Sequence, residues 1–232
     1  MPQIQVGDLA IAVTRKNIKN LHLRVYPPHG EVKISAPRQM SEATLREVIQ
    51  AKLPWIEKQQ AKLRNQTLPI PQHYCSGEFH RFRGQAYPLQ VLPTMGAPWA
   101  QLTDDILELH IAAKSTLEQR QQVLNYWYRS QLKLRVPPLL AQWQPIMGVT
   151  VQEWRIKRMK TRWGTCNIQA QRIWLNLELA KHSDRTLEYV LVHELTHLLE
   201  RLHNARFHQL LDQFLPDWRS REAELKQFLI TK

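Results

Sequence analysis

The chain has 232 residues, of which 43% are apolar and 22% charged, a balance typical of folded globular proteins rather than of disordered ones. Its two cysteines exclude a disulfide-rich secreted scaffold, and no uncharged apolar run approaches the ~18 residues of a membrane-spanning helix. The first residues lack the pattern of a signal peptide. We therefore expect a soluble, cytoplasmic protein whose net charge of +12 favours anionic partners or substrates.

The first half of the sequence has the pattern of short strands around one helix. Alternating apolar and polar residues predict strands within residues 4–36, and apolar residues at helical spacing predict a helix over residues 42–64, which Pro54 should kink or restart. The proline-rich residues 68–71 predict a linker. Strand patterns resume at residues 78–83, 87–92 and 106–111. We expect a β-rich N-terminal domain of residues 1–112 that contains a small antiparallel sheet.

The second half begins and ends with helices. A helix is predicted over residues 116–134, stopped by Pro137 and Pro138, and strands follow at residues 149–157 and 172–177. Ser183 or Asp184 then caps a long helix over about residues 186–202, and two shorter helices finish the chain. These elements predict a second domain of residues 113–232 and an α+β fold overall.

The long predicted helix carries the sequence His193-Glu194-Leu195-Thr196-His197. Two histidines four residues apart lie on one side of a helix, so both imidazoles can reach one metal ion. The glutamate beside the first histidine can hold a water on that metal and take its proton. Solvent-exposed histidines without a metal are the alternative. The pattern predicts a catalytic Zn²⁺ site in which Glu194 is the general base.

A catalytic zinc requires a third protein ligand. The candidates after His197 are Glu200, His203 and His208. His203 can face the metal only if the helix ends before it, and Asn204 is of a residue type that tolerates the backbone of a helix end. The spacing of the three histidines matches the metzincin pattern, but Glu200 stands at the metzincin glycine and no methionine follows Met159. The pattern therefore predicts a zincin of a different kind, and His208 is expected to be a surface or packing residue.

A basic stretch precedes the predicted metal site, with five positive charges in eight residues at Arg155, Lys157, Arg158, Lys160 and Arg162. It is either a solvated strand or an anion-attracting wall beside the site. Arg162 is the candidate for substrate binding, because a guanidinium near the metal could hold a carboxylate or phosphate or stabilise an oxyanion. In the following residues, we expect Gly164 to form a turn, Trp163 and Cys166 to pack in the core, and Asn176 to satisfy backbone groups.

Several segments together resemble a known family: Arg162-Trp-Gly-Thr-Cys166, Ile173-Trp-Leu-Asn176, Tyr189-Val-Leu-Val-His193-Glu194-Leu-Thr-His197, His203-Asn204 and Phe207. The resemblance is to the YgjP-like metal-dependent hydrolases, which belong with the WLM and SprT-like proteins among the minigluzincin-type zincins, and it extends to the opening strands. It implies a zincin-like C-terminal core with a mixed sheet packed on the HExxH helix. It also implies that His193, His197 and His203 bind zinc and that Glu194 is the base.

Three functions follow from this resemblance and from the charge. The first is a zinc-dependent metallopeptidase whose peptide or protein substrate adds to a sheet edge within residues 155–177. The second is a metal-dependent nucleoside triphosphate pyrophosphohydrolase, for which Arg162 and the basic stretch would bind an anionic nucleotide. The third is a protease module of the SprT-like kind that associates with nucleic acid. A purely structural zinc is disfavoured, because structural sites are usually closed by a fourth ligand.

Overall fold

The computed structural model describes residues 3–6, 9–26, 30–64 and 72–227. The chain divides into two compact units, residues 1–70 and 71–232, and each has its own hydrophobic core. The division falls inside the predicted linker, residues 68–71, which lies outside the described residues. Helices and mixed sheets are both present, so the predicted α+β class is confirmed.

The described residues of the first unit form a four-stranded sheet and one helix. Its elements are β1 (Gln3–Val6), β2 (Leu9–Lys16), β3 (His22–Tyr26), β4 (Glu31–Pro37) and α1 (Glu42–Arg64). The strand order is β1-β2-β4-β3, and the central pair β2–β4 is parallel, so the prediction of an antiparallel sheet is wrong for that pair. Pro54 lies inside α1 and does not restart it. Ile49 and Ile56, on either side of Pro54, are fully buried, and their burial stabilises one continuous helix before and after the proline.

The second unit contains two sheets and four helices among its described residues. Its elements are β5 (Phe79–Phe82), β6 (Gln85–Pro93), β7 (Trp99–Thr103), β8 (Ile106–Ile111), α2 (Leu117–Met147), β9 (Glu153–Lys157), β10 (Gly164–Asn167), β11 (Arg172–Asn176), a 3₁₀ turn (Leu177–Lys181), α3 (Asp184–Thr196), α4 (Ala205–Phe214) and α5 (Trp218–Gln227). The first sheet has the order β5-β6-β8-β7, and its central pair β6–β8 is parallel, so the prediction of an antiparallel sheet is wrong here too. The second sheet has the order β10-β11-β9. Strands β7 and β10 were not predicted from the sequence.

Helix α2 corrects a prediction, because it runs for 31 residues through Pro137 and Pro138 instead of stopping there. Leu132, Val136 and Leu140 continue the buried face across the prolines. Burial of this face offsets the ~3 kcal/mol that an interior proline costs a helix. Within the part of the chain that the structure describes, neither α2 nor any other helix combines the length and the apolar character needed to cross a membrane.

The predicted domain boundary near residue 112 lies inside the second unit, between β8 and α2. Leu107 and Leu109 of β8 share one hydrophobic core with Leu124 and Leu132 of α2. Because α2 packs directly on β7 and β8, the strands of residues 79–111 belong to the same compact unit as the helix-led segment. The structure therefore places the division at residue 70, earlier than the change in sequence pattern.

The three-stranded sheet positions the predicted metal helix. It is mixed, because β10 pairs antiparallel with β11 and β11 pairs parallel with β9. Helix α3 packs against β10 and β11 on one face and against α2, α4 and α5 elsewhere. Ile173 and Leu175 of β11 are fully buried with Leu191 and Leu195 of α3. The predicted mixed sheet beside the His-Glu helix is thus present, with β10 at its edge.

Candidate metal centre

Helix α3 carries the first two histidines and ends earlier than predicted. Its N-cap, Ser183, accepts a hydrogen bond from the Thr186 amide, as the sequence suggested, but its last residue is Thr196 rather than residue 202. His197 caps the helix, and the chain turns before α4 starts behind its own N-cap, Asn204. The early end of α3 is what allows His203 to return towards the first two histidines.

His193, His197 and His203 form one cluster whose candidate ligand atoms all lie within 4.8 Å of one another. The Nε2 atoms of His193 and His203 are 3.0 Å apart. The centroids of the three rings are separated by 5.0, 5.0 and 4.7 Å. Three imidazoles that bind a tetrahedral zinc through nitrogens ~2.0–2.1 Å away place their rings ~5 Å apart. The cluster therefore has the spacing and the donor atoms of a site that could hold a metal ion.

The orientation of these rings is set by neighbouring groups. The Nδ1–H of His197 donates to the carbonyl oxygen of Glu200 at 3.2 Å, which leaves Nε2 free to face the other two histidines. The fully buried ring of Phe207 lies 4.7–4.9 Å from all three imidazole centroids. This phenyl ring, from the first turn of α4, is the packing surface that all three histidines share.

The other two candidates for the third ligand are outside the cluster. His208 stacks on Trp218, with ring centroids 5.6 Å apart, so it packs as the sequence suggested. The Glu200 carboxylate accepts a hydrogen bond from the Leu202 amide and so stabilises the turn after α3. Among the described residues, the three histidines are the group that could hold a metal.

The protonation of the site suits a metal centre. Burial, together with the neighbouring histidines, lowers the pKa of His193 to about 3, and burial lowers the pKa of His197 as well. Both imidazoles are therefore neutral near pH 7, the form that binds metals. Burial raises the pKa of Glu194 to about 8, and the positive charge of Arg162 opposes that rise. Burial thus favours the protonated form of the Glu194 carboxyl, and a positive charge in the cleft favours the carboxylate that a general base requires.

A cleft of about 1080 Å³ opens onto the cluster. Strand β10 and the residues before it form one wall, α3 contributes Tyr189, His193 and Glu194, and α5 contributes Glu222 and Lys226. Because β10 is an edge strand with β11 on one side, its other side has backbone groups available for an extended chain.

Asn176 holds the segment that leads into this wall. Its amide nitrogen donates to the carbonyl oxygens of Met159 (2.9 Å) and Arg162 (2.7 Å). Its amide oxygen accepts from the backbone N–H groups of Met159 (3.3 Å) and Glu178 (3.2 Å). The side chain is fully buried, and its role in satisfying backbone groups agrees with the sequence prediction.

The basic stretch is only partly beside the cleft. Arg162 is exposed and lines it, whereas Arg155 and Lys157 lie over the ring of Trp174 on the other face of the sheet. Arg158 pairs with Glu178 at 3.4 Å. The alternation of side chains along β9 puts its basic residues on the face opposite α3. The predicted anion-attracting wall is therefore reduced to Arg162.

Trp163 and Cys166 are packing residues. Trp163 is half-buried and meets His182 edge-on, with centroids 4.7 Å apart. Cys166 lines the cleft, but burial and the charge of Glu194 raise the pKa of its thiol to about 12. Among the described residues, the group that could hold a metal does not include Cys166. The two cysteines are unpaired.

Sequence reasoning did not assign several residues to the cleft, Gly164 and Arg201 among them. Gly164 was expected to form a turn, but it begins β10 and lies directly against Glu194. Arg201 also lines the cleft. It lies after the end of α3 at Thr196, so a sequence analysis that ended this helix correctly would have pointed to it. Among the described residues, neither Arg201 nor Arg162 takes part in an ion pair, so both guanidinium groups are available to an anionic ligand.

Comparisons with known proteins identify the family of the chain. A family model described as the YgjP-like metallopeptidase domain matches residues 19–228. No curated protein is significantly similar to the chain. Among solved structures, the metallopeptidase zymogen abylysin of Pyrococcus abyssi matches with 22% sequence identity and a TM-score of 0.36, over 39% of this chain and 90% of that one. With the family model extending over most of its length, the chain belongs to the YgjP-like family of metallopeptidase domains.

Proposed function

We propose that this protein is a zinc-dependent metallopeptidase with a zincin-like C-terminal core. In this proposal His193, His197 and His203 hold the metal and Glu194 is the general base. The observation that carries the proposal is the three-histidine cluster, which lies in the same cleft as a buried glutamate and an edge strand. Neutral imidazoles are ligands that suit zinc, and a site with three protein ligands leaves a position open for catalysis.

The peptide would bind as an extended chain along β10, which supplies backbone hydrogen bonds at the sheet edge. A bound zinc would polarise the scissile carbonyl. Glu194 would then take a proton from the attacking water and pass it to the nitrogen of the leaving amine, so the carboxylate is restored after each turnover. Arg162 and Arg201, the cleft arginines, would hold a carboxylate of the substrate.

The experiment that tests this proposal measures zinc content and peptide hydrolysis together. The wild-type protein and Glu194→Gln are loaded with zinc and given denatured protein and peptide mixtures. We expect both to retain stoichiometric zinc and the variant to be ~10²–10⁴-fold slower, the contribution of a positioned base. Normal turnover of the variant would show that another group activates the water. Loss of zinc would show that Glu194 supports the metal site itself.

Two alternatives share the same metal centre and differ in substrate. The cleft arginines favour an anionic group, so a nucleoside triphosphate is the second candidate substrate. Release of pyrophosphate from a nucleotide panel by the zinc-loaded protein would identify it.

The third candidate function is a protease that associates with nucleic acid. The observation that favours it is the position of Arg155 and Lys157, which lie over Trp174 on the sheet face away from α3. This third candidate predicts retention on DNA or heparin that falls steeply with salt.

A further inference from the structure

Gly164 lies where an added side chain would collide with Glu194. A Cβ atom added to Gly164 would lie 2.4 Å from Oε1 of Glu194 and 2.7 Å from both its Cδ and its Cγ. Ordinary van der Waals contacts begin at 3.4 Å, so these separations are about 1 Å too short. The three nearest atoms all belong to Glu194, so this one side chain accounts for the shortest contacts.

The backbone does not explain this glycine. The positive-φ glycines among the described residues are Gly30, Gly77, Gly84 and Gly148, and Gly164 is not one of them. It pairs regularly with Leu175 across the β10–β11 ladder. Other residue types adopt this extended conformation readily, so the requirement for glycine comes from space.

We propose that Gly164 is a positioning residue that sets the place of the Glu194 carboxylate. This proposal rests on the proposed function, in which Glu194 is the base. Glu194 is only 5% exposed and lies between its own helix, α3, and strand β10. Since α3 packs on β10, the missing side chain of Gly164 leaves the gap in which the carboxylate lies beside the histidine cluster. A methyl group there would displace the carboxylate by about 1 Å, because the three atoms nearest to it all belong to Glu194.

Gly164→Ala tests the proposal, with Gly96→Ala as its matched control. Gly96 also has no positive φ, and the atom nearest its added Cβ would be Oγ1 of Thr94 at 3.9 Å. We expect Gly164→Ala to keep stoichiometric zinc and a KM within about threefold of wild type, while kcat falls ~10²-fold, the effect of a ~1 Å misplacement. Gly96→Ala should keep the wild-type kcat. A Gly164→Ala protein with wild-type kcat, or one that has lost its zinc, would overturn the positioning role.

A second measurement is independent of activity. Thermal unfolding of the metal-free protein is compared for Gly164→Ala, Glu194→Ala and the double variant. Overpacking should lower the midpoint of Gly164→Ala by ~2–12 °C. In the Glu194→Ala background the same substitution should have no more effect than Gly96→Ala, because the obstructing atoms are gone. Equal shifts in the two backgrounds would refute the contact. These unfolding midpoints can be interpreted even if the protein hydrolyses no peptide. Failure of the proposed function and failure of this inference are therefore distinguishable.

Discussion

Replacing Asn176 by alanine should destabilise the second unit and loosen the wall of the cleft. The substitution removes four hydrogen bonds between the side chain and the backbone of Met159, Arg162 and Glu178. Each such bond contributes ~0.5–1.5 kcal/mol, and the two carbonyl oxygens bound at 2.7 and 2.9 Å carry the larger share. Met159 and Arg162 are partly accessible to water, which can replace some of these bonds. We therefore expect a loss of about 3 kcal/mol in the free energy of unfolding.

Thermal unfolding measures this loss, which for a protein of this size corresponds to a midpoint ~6–12 °C below wild type. The matched control is Asn167→Ala on the neighbouring strand β10. Asn167 is exposed and accepts one hydrogen bond, from the Ala170 amide at 3.0 Å, so its loss should lower the midpoint by no more than ~2 °C. If the two variants unfold at the same temperature, Asn176 does not hold this segment and the reasoning is refuted.

Three further predictions concern the metal, the substrate and pH. Metal analysis of His197→Ala should show the bound zinc lost, whereas His208→Ala, which alters a packing residue near the cluster, should retain it; zinc in both would contradict the ligand assignment. Arg162→Gln should raise KM about 10–100-fold for peptides with an acidic side chain and leave kcat nearly unchanged, because one charge-assisted hydrogen bond is worth ~1.5–3 kcal/mol. Burial lowers the pKa of His182 to about 4, below its ordinary value of 6.5, so the unfolded chain binds the proton first and stability falls as pH drops from 6.5 to 4. Denaturant unfolding at pH 7 and at pH 5 measures how far the free energy of unfolding drops between the two pH values. This drop should be about 2 kcal/mol smaller in His182→Gln than in the wild type, and an equal drop in both proteins would exclude His182 as its source.

The features that the sequence determined by itself lie within single elements. His193 and His197 face the same way because the helical repeat places residues four apart on one side, and this holds wherever the helix packs. The strands at residues 106–111 and 172–177 were recognisable because their alternation is complete within each segment. Ser183 was recognisable as a cap because its hydroxyl bonds to the chain three residues later. These patterns follow from local covalent geometry.

Packing between elements decided the remaining features. Burial of one face of α2 stabilises the helix through Pro137 and Pro138, although proline disfavours the interior of a helix. The place of His203 depends on the end of α3 at Thr196, and its approach to the other histidines depends on Phe207 of another helix. The contact of Gly164 with Glu194 joins two segments that are 30 residues apart in sequence. A one-dimensional pattern does not record how two surfaces meet, so only the tertiary structure could show that a glycine in β10 leaves the space occupied by the glutamate of α3.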